Sequence, residues 1–302
     1  MYGLKPTHHR LGTMQMSVCA TCPMAATPAD LTAAYRTMAQ SNPACTTQSS
    51  LAPSRPIPAD AKKTIGICPA WNARAAPSVR EACDAAIAHY KTLGYDVVDI
   101  SLPYLREAQL AHGATCITEM ASVHYGRASS VRAAHAMVGP QPRVLVATGS
   151  QTPAADYLAF QRLRELLMQH LAHLFQEHPN LLIVSPTTPM AGWPKGAGEE
   201  SHGFSDANAS LENMLYVFLA NITGCPAVSA PVGYVEPAQG VGRIPVGLMA
   251  MGEWGAEEAL LGWATEAGAY LDGLEGGRRR PRGWVDVLSV GGDKTSEDGA
   301  KE

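Results

Sequence analysis

"KKTIGICPA" (62–70), "PSVREACDAAIAHYKTLG" (77–94) and "YDVVDISLP" (95–103) decide the fold between them. The first is a short apolar run that ends at a proline, which reads as a buried strand. In the second, Val79, Ala82, Cys83, Ala86, Ile87, Tyr90 and Leu93 recur at helical spacing. Ser78 and Glu81 have the spacing of a capping box, and Gly94 stops the helix. The third run supplies another strand. Strand, helix and strand in such close succession form a crossover unit, and crossovers imply parallel strands with helices on the faces of the sheet.

Working outward, "TPADLTAAYRTMA" (27–39) predicts a helix with Thr27 as N-cap and Pro28 at the first helical position. Leu31, Tyr35 and Met38 share its apolar face. A Pro/Ser-rich linker follows from Ser41 to Asp60 and is expected to run over the surface. Leu105 to Tyr125 read as helical, whereas 126–149 give no pattern. Ala154 to Glu177 predict a long helix whose buried side carries Leu163, Leu166, Leu167, His170, Leu171 and Leu174. "NLLIVSPTTP" (180–189) is a short apolar strand that ends in a turn. Ser205 to Ile222 predict one amphipathic helix stopped by Gly224 and Pro226. "AVSAPVGY" (227–234) and "IPVGLMAMG" (244–252) read as neighbouring strands, and Glu257 and Glu258 favour the start of a last helix. The class is α/β, a mixed β-sheet with helices on both faces. One unit over 1–272 is followed by a flexible Gly/Arg-rich, then acidic tail over 273–302.

The totals exclude several functions. The 302 residues are 46% hydrophobic and 17% charged, with a formal net charge of -4. That balance gives no basic footprint for nucleic acid, and Arg278, Arg279, Arg280 and Arg282 read as part of a solvated tail. No apolar run reaches the ~18–20 residues of a membrane span. The first residues lack the basic and apolar regions of a secretory leader. Seven scattered cysteines suit reduced thiols in a cytoplasmic protein.

Candidate chemistry is sparse. The sequence holds no G-x-S-x-G, S-x-x-K, H-E-x-x-H, P-loop or G-x-G-x-x-G motif. Cys19 and Cys22 have C-x-x-C spacing but no second ligand pair, so no metal site is expected. His8 and His9 would point to opposite faces of a strand, which favours surface positions over a shared site. His170 and His173 read as core or rim residues. Ser185, Thr187 and Thr188 follow an apolar strand at the end where ligands of open α/β sheets bind. Their hydroxyls suit a polar substrate group, or equally the local backbone of a proline-stiffened turn.

The order of segments is more telling. "NLLIVSPTTP", "NITGCPAVSAPVGY" and "IPVGLMAMGEWGAEEALL" resemble the C-terminal portion of the amidase signature family, whose members include fatty-acid amide hydrolases and glutamyl-tRNA amidotransferase A subunits. Asn221, Thr223, Gly224, Pro226, Ala227, Pro231, Gly233, Pro245, Gly247, Gly252, Glu257 and Leu260 occupy the motif positions. "YGLKPTHHRLG" and "CPMAATPAD" resemble the family's "G-L-K-P-T-x-G-R" and "G-P-M-A", with His9 and Cys22 standing where glycines are usual.

The resemblance implies amide hydrolysis by a serine nucleophile, a second serine in a cis peptide and a lysine, without a cofactor. It places all three ahead of "GLKPT", so no catalytic residue carries over to this chain and Lys5 is not the family's lysine. The expectation is therefore a truncated, inactive amidase with an uncovered sheet edge or apolar face, acting on a small-molecule amide only in a longer form. A non-catalytic remnant that binds a ligand or partner is the alternative. Thr187 and Thr188 stand as the candidate substrate-binding residues, and the oligomeric state is left open.

Overall fold

The computed structural model describes residues 1–12, 16–196, 198–199 and 206–278. The crossover unit is as predicted. Strand β3 (Lys63–Ile67), helix α4 (Pro77–Thr92) and strand β4 (Tyr95–Asp99) are consecutive apart from the short α3 (Pro69–Asn72). β3 and β4 pair in parallel from Lys63↔Tyr95 to Ile67↔Asp99. The capping box is not used. Pro77 takes the first helical position, Ala76 becomes the N-cap, and no side chain caps the helix. A proline fits there because it has no N–H to satisfy, and this moves the start ahead of Ser78.

Four further strands extend this pair, and a fifth, very short one closes the other edge. They are β1 (Tyr2–Lys5), β2 (Met24–Ala25), β5 (Leu181–Pro186), β6 (Ala227–Val235) and β7 (Ile244–Met251), in the order β2-β1-β6-β7-β5-β3-β4. β5 runs parallel to β3 and antiparallel to β7, so it is the hinge between the parallel and antiparallel halves of the sheet. All six of its residues are buried, as a strand covered on both faces requires. Beside β1 the sheet ends in the two-residue β2, where Met24 is 70% exposed.

Helix α1 (Pro28–Met38) starts as expected, with the Thr27 hydroxyl accepting from the Asp30 N–H. The 41–60 segment contains the short α2 (Thr46–Ser49) and is tied down by Gln48, whose buried amide donates to the Arg10 and Gln40 carbonyls. Residues 105–149 form α5 (Leu105–Arg127), α6 (Val131–Ala136) and α7 (Pro140–Gly149). Helix α8 (Ala154–Glu177) has the predicted bounds, but Leu166 faces outward at 44% exposure. The helix expected over 205–222 is two, α9 (Ala207–Asn213) and α10 (Phe218–Thr223), broken by a turn at 214–217. That turn lets the Leu215 carbonyl accept from the Trp71 indole and the Tyr216 hydroxyl donate to the Trp71 carbonyl. Helix α11 (Glu257–Gly273) lies on β6, and Tyr90 of α4 stacks on its Trp263 with ring centroids 5.0 Å apart. Of the predicted tail, Arg278 returns to the body and donates to Asp272 over the Tyr2 ring. Residues 279–302 lie outside the described residues.

One buried carboxylate joins two distant parts of the chain. Glu257 is fully buried at the start of α11, and its Oε1 accepts from the Thr7 N–H at 2.9 Å and the Arg10 Nε at 3.4 Å. Arg10 is buried too, and its Nη1 donates to the Ala52 carbonyl. Removing one partner of such a pair strands the other charge away from water. Glu257→Gln should therefore lower the unfolding free energy by roughly 3 kcal/mol in a urea titration. Arg36→Ala, which breaks the Arg36–Glu258 pair on the 64%-exposed Arg36 side chain, should change it by less than about 1 kcal/mol.

A second expectation concerns pH. His112 is buried on α5 against Phe218, and its Nδ1 has no hydrogen-bond partner. Burial, helped by Arg164, lowers its pKa to about 4. A ring kept neutral in the fold binds its proton more readily once unfolded. Its contribution is complete above the ordinary pKa of about 6.5 and is lost as pH falls towards the folded value, on the order of 2–3 kcal/mol at pH 4. Urea titrations at pH 7 and pH 4 should show a smaller drop for His112→Asn than for the parent chain.

Candidate functional site

The chain turns sharply where β1 ends. Thr7 is held on one side by Glu257 and on the other by the Gly255 N–H, which donates to its hydroxyl at 2.9 Å. The His8 N–H donates to the Gly224 carbonyl, and the His8 ring rests on Gly224, where an added Cβ would meet Nδ1 at 3.0 Å. Gly224 also has φ +77°, so both its conformation and its surface require glycine. His9 then adopts φ +68°, a left-handed conformation that costs a side-chain-bearing residue roughly 1–2 kcal/mol. The reading of His8 and His9 as strand residues on opposite faces is corrected here. They follow the strand, in a turn, and both line one cavity.

That cavity, of about 790 Å³, opens where β1 and β7 end and β6 begins. Met16, Leu51, Met168, Ile222 and Trp254 supply apolar wall, and Trp254 is fixed by its indole N–H donating to the Thr223 carbonyl. Glu119 of α5 and Tyr157 and Arg164 of α8 form a polar side with Ser17. Glu119 accepts from the Ser17 N–H at 2.6 Å, from the Ser17 hydroxyl, and from the Tyr157 hydroxyl at 2.8 Å. Arg164 Nη2 donates to the Ser17 hydroxyl at 2.9 Å. The carboxylate thus has both oxygens engaged. Sequence reading missed these groups because they lie on three separate segments. The one available signal was Tyr157 and Arg164, seven residues apart and so on one face of α8.

Electrostatics restrict what the site can do. Burial, reinforced by the charges of Lys5, Arg164 and His9, lowers the His8 pKa to about 3, so its ring is neutral at pH 7. Burial raises the Cys19 and Cys22 thiols above their usual value and pushes Cys116 up to about 12, so none is poised as a thiolate nucleophile. Lys5 is consumed by structure. Its Nζ donates to the Pro6 and Cys225 carbonyls at 2.9 and 2.8 Å, and burial lowers its pKa to about 8.

The remaining sequence candidates lie elsewhere. Ser185 is buried and donates to the Pro186 carbonyl. Thr187 shares a 2.7 Å hydrogen bond with Ser229, and Thr188 donates to the Met190 carbonyl. The pairing of Pro186 with Leu248 and Ile183 with Met251 puts these threonines at the end of the sheet opposite the cavity. His170 sits against the Ser101 carbonyl, and His173 pairs with Glu177. Among the described residues no three His, Cys, Asp or Glu side chains are arranged to hold a metal ion. No helix there is long and apolar enough to cross a membrane.

Comparison with known proteins agrees with the motifs. The Amidase family model matches residues 1–261. The chain is 30% identical over 291 residues to the A subunit of glutamyl-tRNA(Gln) amidotransferase from Thermus thermophilus, covering 86% of this chain and 58% of that protein. It is 29% identical over 312 residues to a fatty acid amide hydrolase of Medicago truncatula, covering 95% and 48%. A crystal structure of an amidase superposes with a TM-score of 0.66 at 18% identity, covering 89% of this chain and 58% of that one. The corresponding A subunit from Thermotoga maritima gives 0.66 at 16% identity, covering 90% and 57%. At such identities the structures speak for the fold alone. The chain spans about half to three-fifths of the length of these relatives. With the signature strands β1, β6 and β7 adjacent in the sheet and the family model matching most of its length, the chain belongs to the amidase signature family.

Proposed function

We propose that these 302 residues are the pocket-bearing part of an amide hydrolase and do not cleave amides by themselves. In the reaction water adds across the C–N bond, so that the acyl group leaves as a carboxylate and the nitrogen as an amine. The supporting observation is the family match over residues 1–261, whose motif residues form one wall of the cavity through Thr7, Thr223 and Gly224. The resemblance places the two serines and the lysine of the mechanism ahead of "GLKPT". The inactive reading is supported by Lys5, which is bonded to two carbonyls, and by Ser185, which is bonded to a third. Thr187 and Thr188 enter this reading as a separate hydroxyl patch at the other end of the sheet. A reducing, cytoplasmic setting belongs to the same proposal, supported by seven cysteines without a disulfide.

A non-catalytic binding module is the second reading, favoured by the cavity whose Ser17 hydroxyl is bonded to Glu119 and Arg164 and whose Cys19 thiol is held above its usual pKa by burial. Labelling by a serine-reactive fluorophosphonate separates the outcomes. The 302-residue chain should not label. A chimaera carrying the serine- and lysine-bearing segment of an amidase relative ahead of Tyr2 should label and release amine from simple amides. Labelling of the chain alone would overturn the inactive half of the proposal. A chimaera that melts cooperatively yet neither labels nor hydrolyses would favour the binding module.

A further inference from the structure

We propose that His9 is a ligand-contacting residue of the 790 Å³ cavity, and that the cavity takes a small apolar acyl compound, as carboxylate or primary amide, through its carbonyl oxygen. Three observations meet at this residue. The first is its backbone. The turn is fixed independently of the His9 side chain, by Glu257 and Gly255 on Thr7, by Gly224 on His8 and by the Gly12 N–H on the His9 carbonyl. Glycine would adopt φ +68° without strain, yet a histidine holds the position. Strain of this kind persists where surrounding structure over-determines it, and it clusters at ligand sites.

The second observation is spare bonding capacity. Glu119 has both oxygens engaged, Ser17 bonds to Glu119 and Arg164, and Tyr157 donates to Glu119. His8 is neutral and packed on Gly224, and its Nε2, like the Arg164 Nε, is buried without a hydrogen-bond partner. The His9 side chain is exposed, lines the cavity and meets the His8 ring edge-on at 6.3 Å. No side-chain hydrogen bond holds it among the described residues. An imidazole presents at least one N–H in either charge state, which suits a carbonyl or carboxylate oxygen.

The third observation is the lining. Met16, Leu51, Met168, Ile222 and Trp254 offer apolar surface with one indole face, in a volume within the ordinary range for small-molecule sites. A compact aryl or alkyl group fits such walls, with its carbonyl turned towards the turn at 8–9. The choice of acyl chemistry rests on the amide-hydrolysis reading, but the test measures binding without turnover, so the two can fail separately.

Isothermal titration of the 302-residue chain with phenylacetate, phenylacetamide and phenethylamine tests it. The carboxylate or the amide should bind and the amine should not, and the preference between the first two identifies the group recognised. His9→Gly should raise the melting temperature while weakening that binding tenfold or more. His9→Asn tolerates the left-handed backbone and keeps an N–H donor, so it should retain part of the affinity. Unchanged affinity in His9→Gly, a lower melting temperature in that variant, equal binding of the amine, or no binding of either acyl compound would each overturn the proposal.

Discussion

Glu257 ties this architecture together, because its carboxylate is enclosed where two distant parts of the chain meet. It takes the Thr7 N–H that no strand partner satisfies and the guanidinium of Arg10. A buried carboxylate and its buried donors each give up hydration, so each depends on the other for its hydrogen bonds. The exit of β1, the start of α11 and the 41–60 segment, bonded through Ala52 and Gln48, are therefore held as one assembly. The turn at His8 and His9 inherits its shape from that assembly. The cavity wall is a product of ion pairing some way behind it.

The family pattern becomes physically intelligible on the same ground. The glycine usual at position 9 marks a left-handed residue, and Gly224 marks a surface against which a ring is pressed. The arginine of "GLKPTxGR" and the glutamate of the last motif are the two halves of the buried pair. Motifs separated by most of the sequence are contacts in space. Such contacts explain why segment order, rather than any single residue, carried the resemblance.

Much of the fold was legible because its signals are local. Apolar spacing fixed α4 and α8, Thr27 and Pro28 fixed the start of α1, and two apolar runs joined by a Pro/Gly-rich loop marked β6 and β7. The failures have tertiary causes. Residues 214–217 leave the helix so that Leu215 and Tyr216 can bond to Trp71, which no periodicity encodes. Pro77 outcompeted Ser78 for the helix start because a missing N–H leaves nothing to cap. The candidate site was the least legible part. Ser17, Glu119, Tyr157 and Arg164 come together only through packing of α5 and α8 against the loop after β1.

The pairing of β1 with β6 also sets a schedule for the chain. Lys5 reaches the Cys225 carbonyl across 220 residues, and Tyr2 and Leu4 are fully buried only in that arrangement. The crossover β3–α4–β4 can close from neighbouring residues as soon as they exist. At roughly 5–20 residues per second of synthesis, β1 waits about 10–40 s for its partner strand to be made. Through that interval an apolar strand with unpaired backbone groups is open to any other strand it meets. Even then the two halves of the sheet stay separate until β7, made last of all, is inserted between β6 and β5.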